Sequence, residues 1–268
     1  MLREVANGAF RWIDVERPGR DEMKELGERF GFHELNLEDC LSKIQIPKID
    51  RYLDHVFVIL RFPVMERELI PRSSQLAAFM GAGHLVTVHQ GDLKPVGDIF
   101  RKCCEDAGGR QELMGHSAGY LLHTLVDSLT DSLLDLVRKI VGNIDDIEDM
   151  VFDENVAAAE QISYIRRQIT SLRRIATPLR RTMVELAARD VARFSEEDLT
   201  DYYDDVKDHI DKAIETLDES KETIEIFKDT DFMHGTEKSN RILAVLTIIF
   251  GNAQRFGTVF TTISVINL

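Results

Sequence analysis

The sequence is poor in the features that announce chemistry. It has three cysteines, Cys40 and the adjacent pair Cys103-Cys104, and no CxxC spacing. That leaves no signal for a structural zinc site or a redox dithiol and fits a reducing compartment. No Walker loop, GxGxxG, HExxH or GxSxG occurs, so the phosphate-cradling, metalloprotease and nucleophile-elbow motifs are all missing. The eight histidines do not fall at metal-ligand spacing. Of these, His84 and His89 read as ordinary surface residues near the ends of one strand. The start, Met1-Leu-Arg-Glu-Val-Ala-Asn, carries no apolar signal-peptide core. No run reaches about 18 apolar residues, so no spanning helix is expected within this chain. Nothing nominates a nucleophile or a general base, and an enzyme is not the reading.

What is present is acid. The 268 residues carry a net charge of −14 with 44% hydrophobic and 30% charged content, a composition that suits a globular core. From Asp190 to Asp231 sixteen acids face five bases. Such a field repels nucleic acid and anionic lipid and attracts cations. Within it, Asp201, Asp208, Glu215, Glu222 and Asp229 recur at seven residues, as do Asp204, Asp211, Asp218 and Glu225. Interleaved are Tyr203, Val206, Ile210, Ala213, Leu217, Ser220, Ile224 and Phe227, at alternating steps of three and four. In heptad terms the apolar set fills a and d and the acids fill b and f, so one long helix with a packed seam and an acidic outer stripe is predicted. Arg166-Arg167, Arg173-Arg174 and Arg180-Arg181 also repeat at seven. Without interleaved aromatics they do not read as a nucleic-acid stripe. Electrostatic lacing to the acidic helix, or to Asp145-Asp-Ile-Glu-Asp149, is the expected role.

The chain changes period along its length. Up to about residue 112 it reads as α/β. Strands are predicted at Phe10–Val15, Val56–Leu60, Gln75–Met80 and His84–His89, and helices at Asp21–Phe30, Leu35–Leu41 and Val96–Asp106. Gly108-Gly109 and Gly115 read as a linker. Residues 113–249 then hold an antiparallel helical hairpin, Tyr120–Phe152 with Ile162–Leu186, and a stalk helix from about Glu196 to Ile249. Pro178 should bend the second helix. The stalk would be about 80 Å long. The fold class is α+β, with the helical part dominant. Residues 250–268 form a separate tail.

The ligand set on offer is that of hard divalent cations: carboxylate with backbone and amide oxygen. Glu38-Asp39 on the short second helix, Asp127 and Asp131 on the first long helix, and Asp204-Asp205 with Asp208 on the stalk are the candidates.

Several segments in order resemble the CorA family of magnesium channels. Leu35-Asn-Leu-Glu-Asp-Cys-Leu41, Ile46-Pro-Lys-Ile-Asp-Arg-Tyr52 and Val56-Phe-Val-Ile-Leu-Arg61 are similar to its N-terminal signature. Tyr120-Leu-Leu-His-Thr-Leu-Val-Asp-Ser-Leu-Thr-Asp131 is similar to its first long helix and Thr177-Pro-Leu-Arg180 to its second. Tyr202-Tyr-Asp-Asp-Val-Lys-Asp-His209 and Lys238–Ile249 resemble its stalk and pore entrance. The family's Gly-Met-Asn signature is absent, and Phe250–Thr258 is polar where the family continues into a transmembrane helix. The resemblance therefore implies a cytoplasmic domain ending at the membrane surface, its membrane segments missing and its last residues departing from the family.

The resemblance further implies a homopentameric channel of the inner (plasma) membrane that carries Mg2+, with Co2+ and Ni2+ as further ions. Asp39 of one subunit would meet Asp205 of its neighbour, with Glu38 and Asp127 as secondary ligands. Asp229 and Asn240 would face the pore, and Leu243 and Leu246 would form its apolar constriction. Two other readings stand beside this one. A zinc or other transition-metal transporter on the same scaffold would use softer ligands near the stalk, where His209 is present. A scaffold of helical hairpins would bind no ion.

Overall fold

The computed structural model describes residues 1–42, 45–65, 70–153, 158–186, 194 and 198–266, with backbone alone at 234, 238–239, 241, 245 and 248–266. Six strands form one mixed sheet: β1 (Leu2–Asn7), β2 (Phe10–Glu16), β3 (Lys48–Arg51), β4 (His55–Val64), β5 (Arg72–Gly81) and β6 (His84–His89). Their order is β1-β2-β6-β5-β4-β3, with β2 and β6 parallel and the other pairs antiparallel. The four inner strands are those predicted from alternation. The two edge strands, β1 and β3, are additions. Both carry charged residues along their length (Arg3 and Glu4; Lys48, Asp50 and Arg51), which blunts a sheet edge and also erases the apolar pattern by which a strand is recognised.

Period-two alternation divides the sheet into two buried faces. Ile13, Val15, Phe57, Ile59, Ala77, Phe79, Val86 and Val88 pack under α1 (Arg20–Phe30) and α2 (Glu34–Leu41). Trp12, Val58, Leu60, Leu76, Ala78, Met80 and Leu85 pack on the other side. That side is covered by α3 (Lys94–Glu105), α4 (Ala107–Met114) and the start of α5 (Ala118–Val151). The sheet is thus the middle of three layers.

α4 occupies the stretch read as a glycine linker. Asp106 Oδ1 caps the Gly108 N–H at 2.9 Å, and Arg110 donates from Nε and Nη2 to the carbonyls of Cys103 and Cys104 at 2.6 and 2.9 Å. Burial of Leu113 and Met114 completes it. These tertiary contacts outweigh a propensity cost of about 1 kcal/mol per glycine.

Beyond the sheet, α5, α6 (Ala159–Glu185) and α7 (Thr200–Ile266) share a second core. α6 continues through Pro178 without interruption. Every residue of the predicted a/d seam from Tyr203 to Phe227 is buried. The charged lacing is also present. Arg166 Nε meets Glu225 at 2.8 Å and Arg173 Nε meets Asp218 at 2.5 Å, and Arg180 pairs with Asp211. The predicted start of the stalk at Glu196 lies outside the described residues; the helix runs from Thr200 over 67 residues, about 100 Å. The hairpin between α5 and α6 ends level with Asp231, whose Oδ1 accepts the Ala158 N–H at 3.2 Å. Past that point α7 has no helical partner among the described residues, exposing Phe232, Met233, Ile242, Leu243 and Leu246. Among the described residues no helix is long and apolar enough to cross a membrane.

Candidate metal centre

The first turn of α7 is pinned to the start of α5. Tyr203 is fully buried, and its hydroxyl donates to the Gly119 carbonyl at 3.1 Å. Val206 and Ile210 then seat in the shared core. This register turns Asp205 and His209, four residues apart on one helical face, toward Asp127 of α5. One ligand atom from each of Asp127, Asp205 and His209 lies within 4.8 Å of the other two.

The surroundings of Asp127 disfavour its charged form. Burial raises the Asp127 carboxyl above its ordinary value. Asp131 and Asp205 push it the same way, while His123 and His209 oppose. One turn earlier, His123 is buried against Tyr202 and Tyr203, with ring centroids at 5.3 Å from each, and burial pushes its pKa down. His209 Nδ1 sits 3.8 Å from Asp205, too far for a hydrogen bond, and is a buried nitrogen with no hydrogen-bond partner. Two carboxylates and an unpartnered imidazole nitrogen make a mixed O,O,N donor set. A small cation at about 2.1 Å needs donors up to roughly 4.2 Å apart, so small side-chain movements, or bridging waters, close the set around it.

The other predicted ligands lie elsewhere. Asp208 is exposed and takes Lys207 Nζ at 2.6 Å. Asp39 is held within its own chain by Lys48 Nζ at 2.7 Å, and the same ammonium meets Asp50 at 2.6 Å. Glu38 and Asp204 are exposed. Asp229 and Asn240 are exposed on α7, as are Leu243 and Leu246 on its unpartnered stretch. Sequence reasoning chose Asp127 and Asp205 and placed His209 only with the transition-metal reading; its fourfold step from Asp205 was the available signal.

A correction concerns His89. It is buried, not a surface residue, and its Nε2 contacts Asp14 at 3.1 Å in the interior of the sheet. Its Nδ1 accepts the Gly91 N–H at 3.0 Å, so Nε2 carries the proton given to Asp14. Thr87 donates to Asp14 at 2.7 Å while accepting from Trp12 Nε1 at 2.9 Å, and Arg3 donates at 2.6 Å.

Comparison with known proteins bears on the family and the fold. A family model described as CorA-like Mg2+ transporter protein matches residues 7–251. A cobalt/magnesium transport protein CorA of Thermotoga maritima is 31% identical over 144 residues, covering 53% of this chain and 40% of its own length. A putative metal ion transporter of Bacillus subtilis, YfjQ, is 25% identical over 141 residues, covering 53% and 42%. The chain thus matches less than half the length of these curated relatives. Among solved structures, full-length CmaX superposes with a TM-score of 0.79 at 24% identity, covering 90% of this chain and 73% of that one. The soluble domain of CorA from Methanocaldococcus jannaschii gives 0.70 at 18% identity, with coverage of 84% and 88%. The ZntB cytoplasmic domain from Vibrio parahaemolyticus gives 0.70 at 17%, with coverage of 85% and 88%. At these identities the structural matches speak for the shared fold.

Proposed function

The chain belongs to the CorA-like Mg2+ transporter family, and from that premise we propose that it is the ion-sensing cytoplasmic portion of a divalent-cation channel that assembles as a homopentamer in the inner membrane. The observation that carries this reading is the convergence of Asp127, Asp205 and His209, where among the described residues no Lys or Arg pairs with either aspartate. Like charges held together by a fold repel unless a cation sits between them. Magnesium keeps several waters and takes one or two carboxylates, which makes such a site weak and reversible. Occupancy when cytoplasmic magnesium is high would tie α5 to α7 and favour a closed arrangement; loss of the ion would release the repulsion. Across a subunit boundary Asp39 would add to Asp205, with Glu38 and Asp208 nearby, once Lys48 yields its hold. The unpartnered length of α7 supports a stalk that meets its own copies, with Asp229 and Asn240 toward the pore and Leu243 and Leu246 at its constriction.

His209 favours a second reading, in which Co2+ or Zn2+ is an equal or better ligand, because imidazole suits these ions more than magnesium. Isothermal titration of Mg2+, Co2+ and Zn2+ into the parent chain and His209→Gln separates the two. A magnesium sensor keeps its Mg2+ affinity in the variant. A transition-metal sensor loses Co2+ and Zn2+ binding about tenfold or more. Absence of binding by any of the three ions in a demonstrated oligomer would reject both.

A further inference from the structure

The arginine pairs of α6 divide its charge into two lines. Arg166, Arg173 and Arg180 face α7 and are spent on Glu225, Asp218 and Asp211. Arg167 and Arg174 stand next to the first two and point elsewhere, since one residue is about 100° around a helix. Among the described residues neither has a carboxylate partner. Both line a recess between α6 and Ile70-Pro71, just before β5.

The recess consists of two adjoining hollows of about 750 and 710 Å3 that share Ile70, Ser171 and Arg174. From the sheet side Arg61 of β4 enters it. Its Nε donates to Ser73 Oγ at 2.7 Å and its Nη1 to the Gln45 carbonyl at 3.1 Å, and no carboxylate of the described residues pairs with it. Burial pushes the Arg61 pKa down, the mark of a cation short of counter-charge. Arg72, paired with Asp92, and Arg166 complete the basic lining. Among the described residues the lining contains no Asp or Glu.

Planar guanidinium forks match phosphate oxygens in pairs. Arg167 and Arg174 are seven residues apart, about 10.5 Å along the helix, with Arg174 at the junction of the hollows. A single phosphate does not span that distance; a chain of them does. Among the described residues no aromatic ring lines either hollow, so none is offered for a base to stack on. We propose that this recess binds a polyphosphate, a nucleoside triphosphate or its inorganic counterpart, through Arg61, Arg167 and Arg174, with recognition of the phosphates and not of the base.

The test is calorimetric titration of ATP and of inorganic tripolyphosphate into the 268-residue chain, with EDTA present and ionic strength fixed. Chelating the divalent ions separates this result from that of the metal centre. Both ligands should bind with similar affinity. Arg174→Gln and the double variant Arg61→Gln with Arg167→Gln should each weaken binding about tenfold or more, whereas Arg181→Gln, on an exposed residue outside the lining, should leave it unchanged. Arg174→Lys keeps the charge and loses the fork; it should bind several-fold more weakly and, on an exposed position, stay folded by circular dichroism. The proposal is overturned if neither ligand binds at millimolar concentration, or if the glutamine variants bind as the parent does. It is equally overturned if only vesicles containing phosphatidylglycerol are bound. Sedimentation in which these substitutions dissolve an oligomer that tripolyphosphate leaves intact would assign the recess to a neighbouring copy and reject the ligand.

Discussion

Two aspartates in this molecule have opposite fates. Asp14 is wholly buried in the sheet, where burial alone would raise its pKa. Hydrogen bonds from His89, Thr87 and Arg3 outweigh that cost and hold the carboxyl below its ordinary value. Asp127 is only half-buried, yet its carboxyl stands above its ordinary value, because burial is joined by the charges of Asp131 and Asp205. The more buried carboxylate is the more comfortable one. Partners, not depth, decide whether a charge is satisfied, and the fold spends its donors on Asp14 while leaving Asp127 in debt. A carboxylate with every lone pair answered is structural; one left facing another carboxylate is ready for a cation.

The sharpest way to break this comparison is to remove each aspartate. Asp14→Ala strands the Arg3, Thr87 and His89 donors, and losing one partner of a buried charged network costs about 3–5 kcal/mol. Asp127→Asn should act with the opposite sign on the ion-free chain, relieving repulsion and stabilising it by about 0.5–1 kcal/mol, the scale of a partly solvated charge pair. Urea denaturation of both variants in EDTA checks the signs. If both substitutions destabilise, Asp127 is a satisfied structural residue and the contrast collapses.

Ion binding should reverse the order at the second site. A ligand at a hundredfold its Kd stabilises the fold it binds by about 2.7 kcal/mol. The parent should therefore gain stability on adding Mg2+ or Co2+ at matched ionic strength, and Asp127→Asn with Asp205→Asn should gain none. Melting curves that shift equally for parent and double variant would assign the effect to general screening.

How much of this was legible beforehand follows from the range of the interactions involved. The α7 seam and its Arg–acid lacing were readable because heptad period is local, and the antiparallel pairing of two such periods keeps the charges in step over Arg166, Arg173 and Arg180. β1 and β3 were not, because edge strands carry no alternating apolar face. α4 was hidden by Gly108-Gly109, since its stability comes from Arg110 reaching back to α3. Asp127 and Asp205 were visible as carboxylates on the right helices. That they meet in one chain depends on the Tyr203–Gly119 contact, 84 residues apart in sequence, which no local pattern encodes. The same distance problem hid the Asp14–His89 pair, 75 residues apart.

Acid titration sharpens the contrast further. Both groups have an ordinary value of 3.8. For Asp14 the folded value is lower, so its contribution is present above 3.8 and is lost as pH falls below it. For Asp127 the folded value is higher, so the fold loses stability as pH rises from 3.8 through that value. The parent's advantage over Asp14→Asn should therefore shrink on acidification below 3.8. The advantage of Asp127→Asn over the parent should already have vanished there. Parallel pH profiles for the two variants would contradict the assignment of partners.

A third carboxylate separates burial from partnership, with the smallest expected effect. Glu4 on the edge strand β1 is near the surface, yet Arg29 meets its Oε2 and Arg11 its Oε1, each at 2.7 Å. The Arg29 hydrogen bond is the main cause that lowers its pKa from 4.5 to about 2. Arg29 lies on α1 and Arg11 on β2, so Glu4 fastens the sheet edge to the helix above it. Solvent screens such pairs, and each contributes only about 0.2–1 kcal/mol. Because the folded value is the lower one, the contribution is complete above 4.5 and fades as pH falls toward about 2. Glu4→Gln should thus cost about 1 kcal/mol near neutrality, and the gap from the parent should close within that acidic window, whereas Asp14→Ala should remain severely destabilised there because its donors are still buried and unanswered. Urea midpoints for the two variants across the window provide the measurement. A Glu4→Gln gap that stays constant with pH would mean that the arginines hold the glutamate side chain by packing and not by charge.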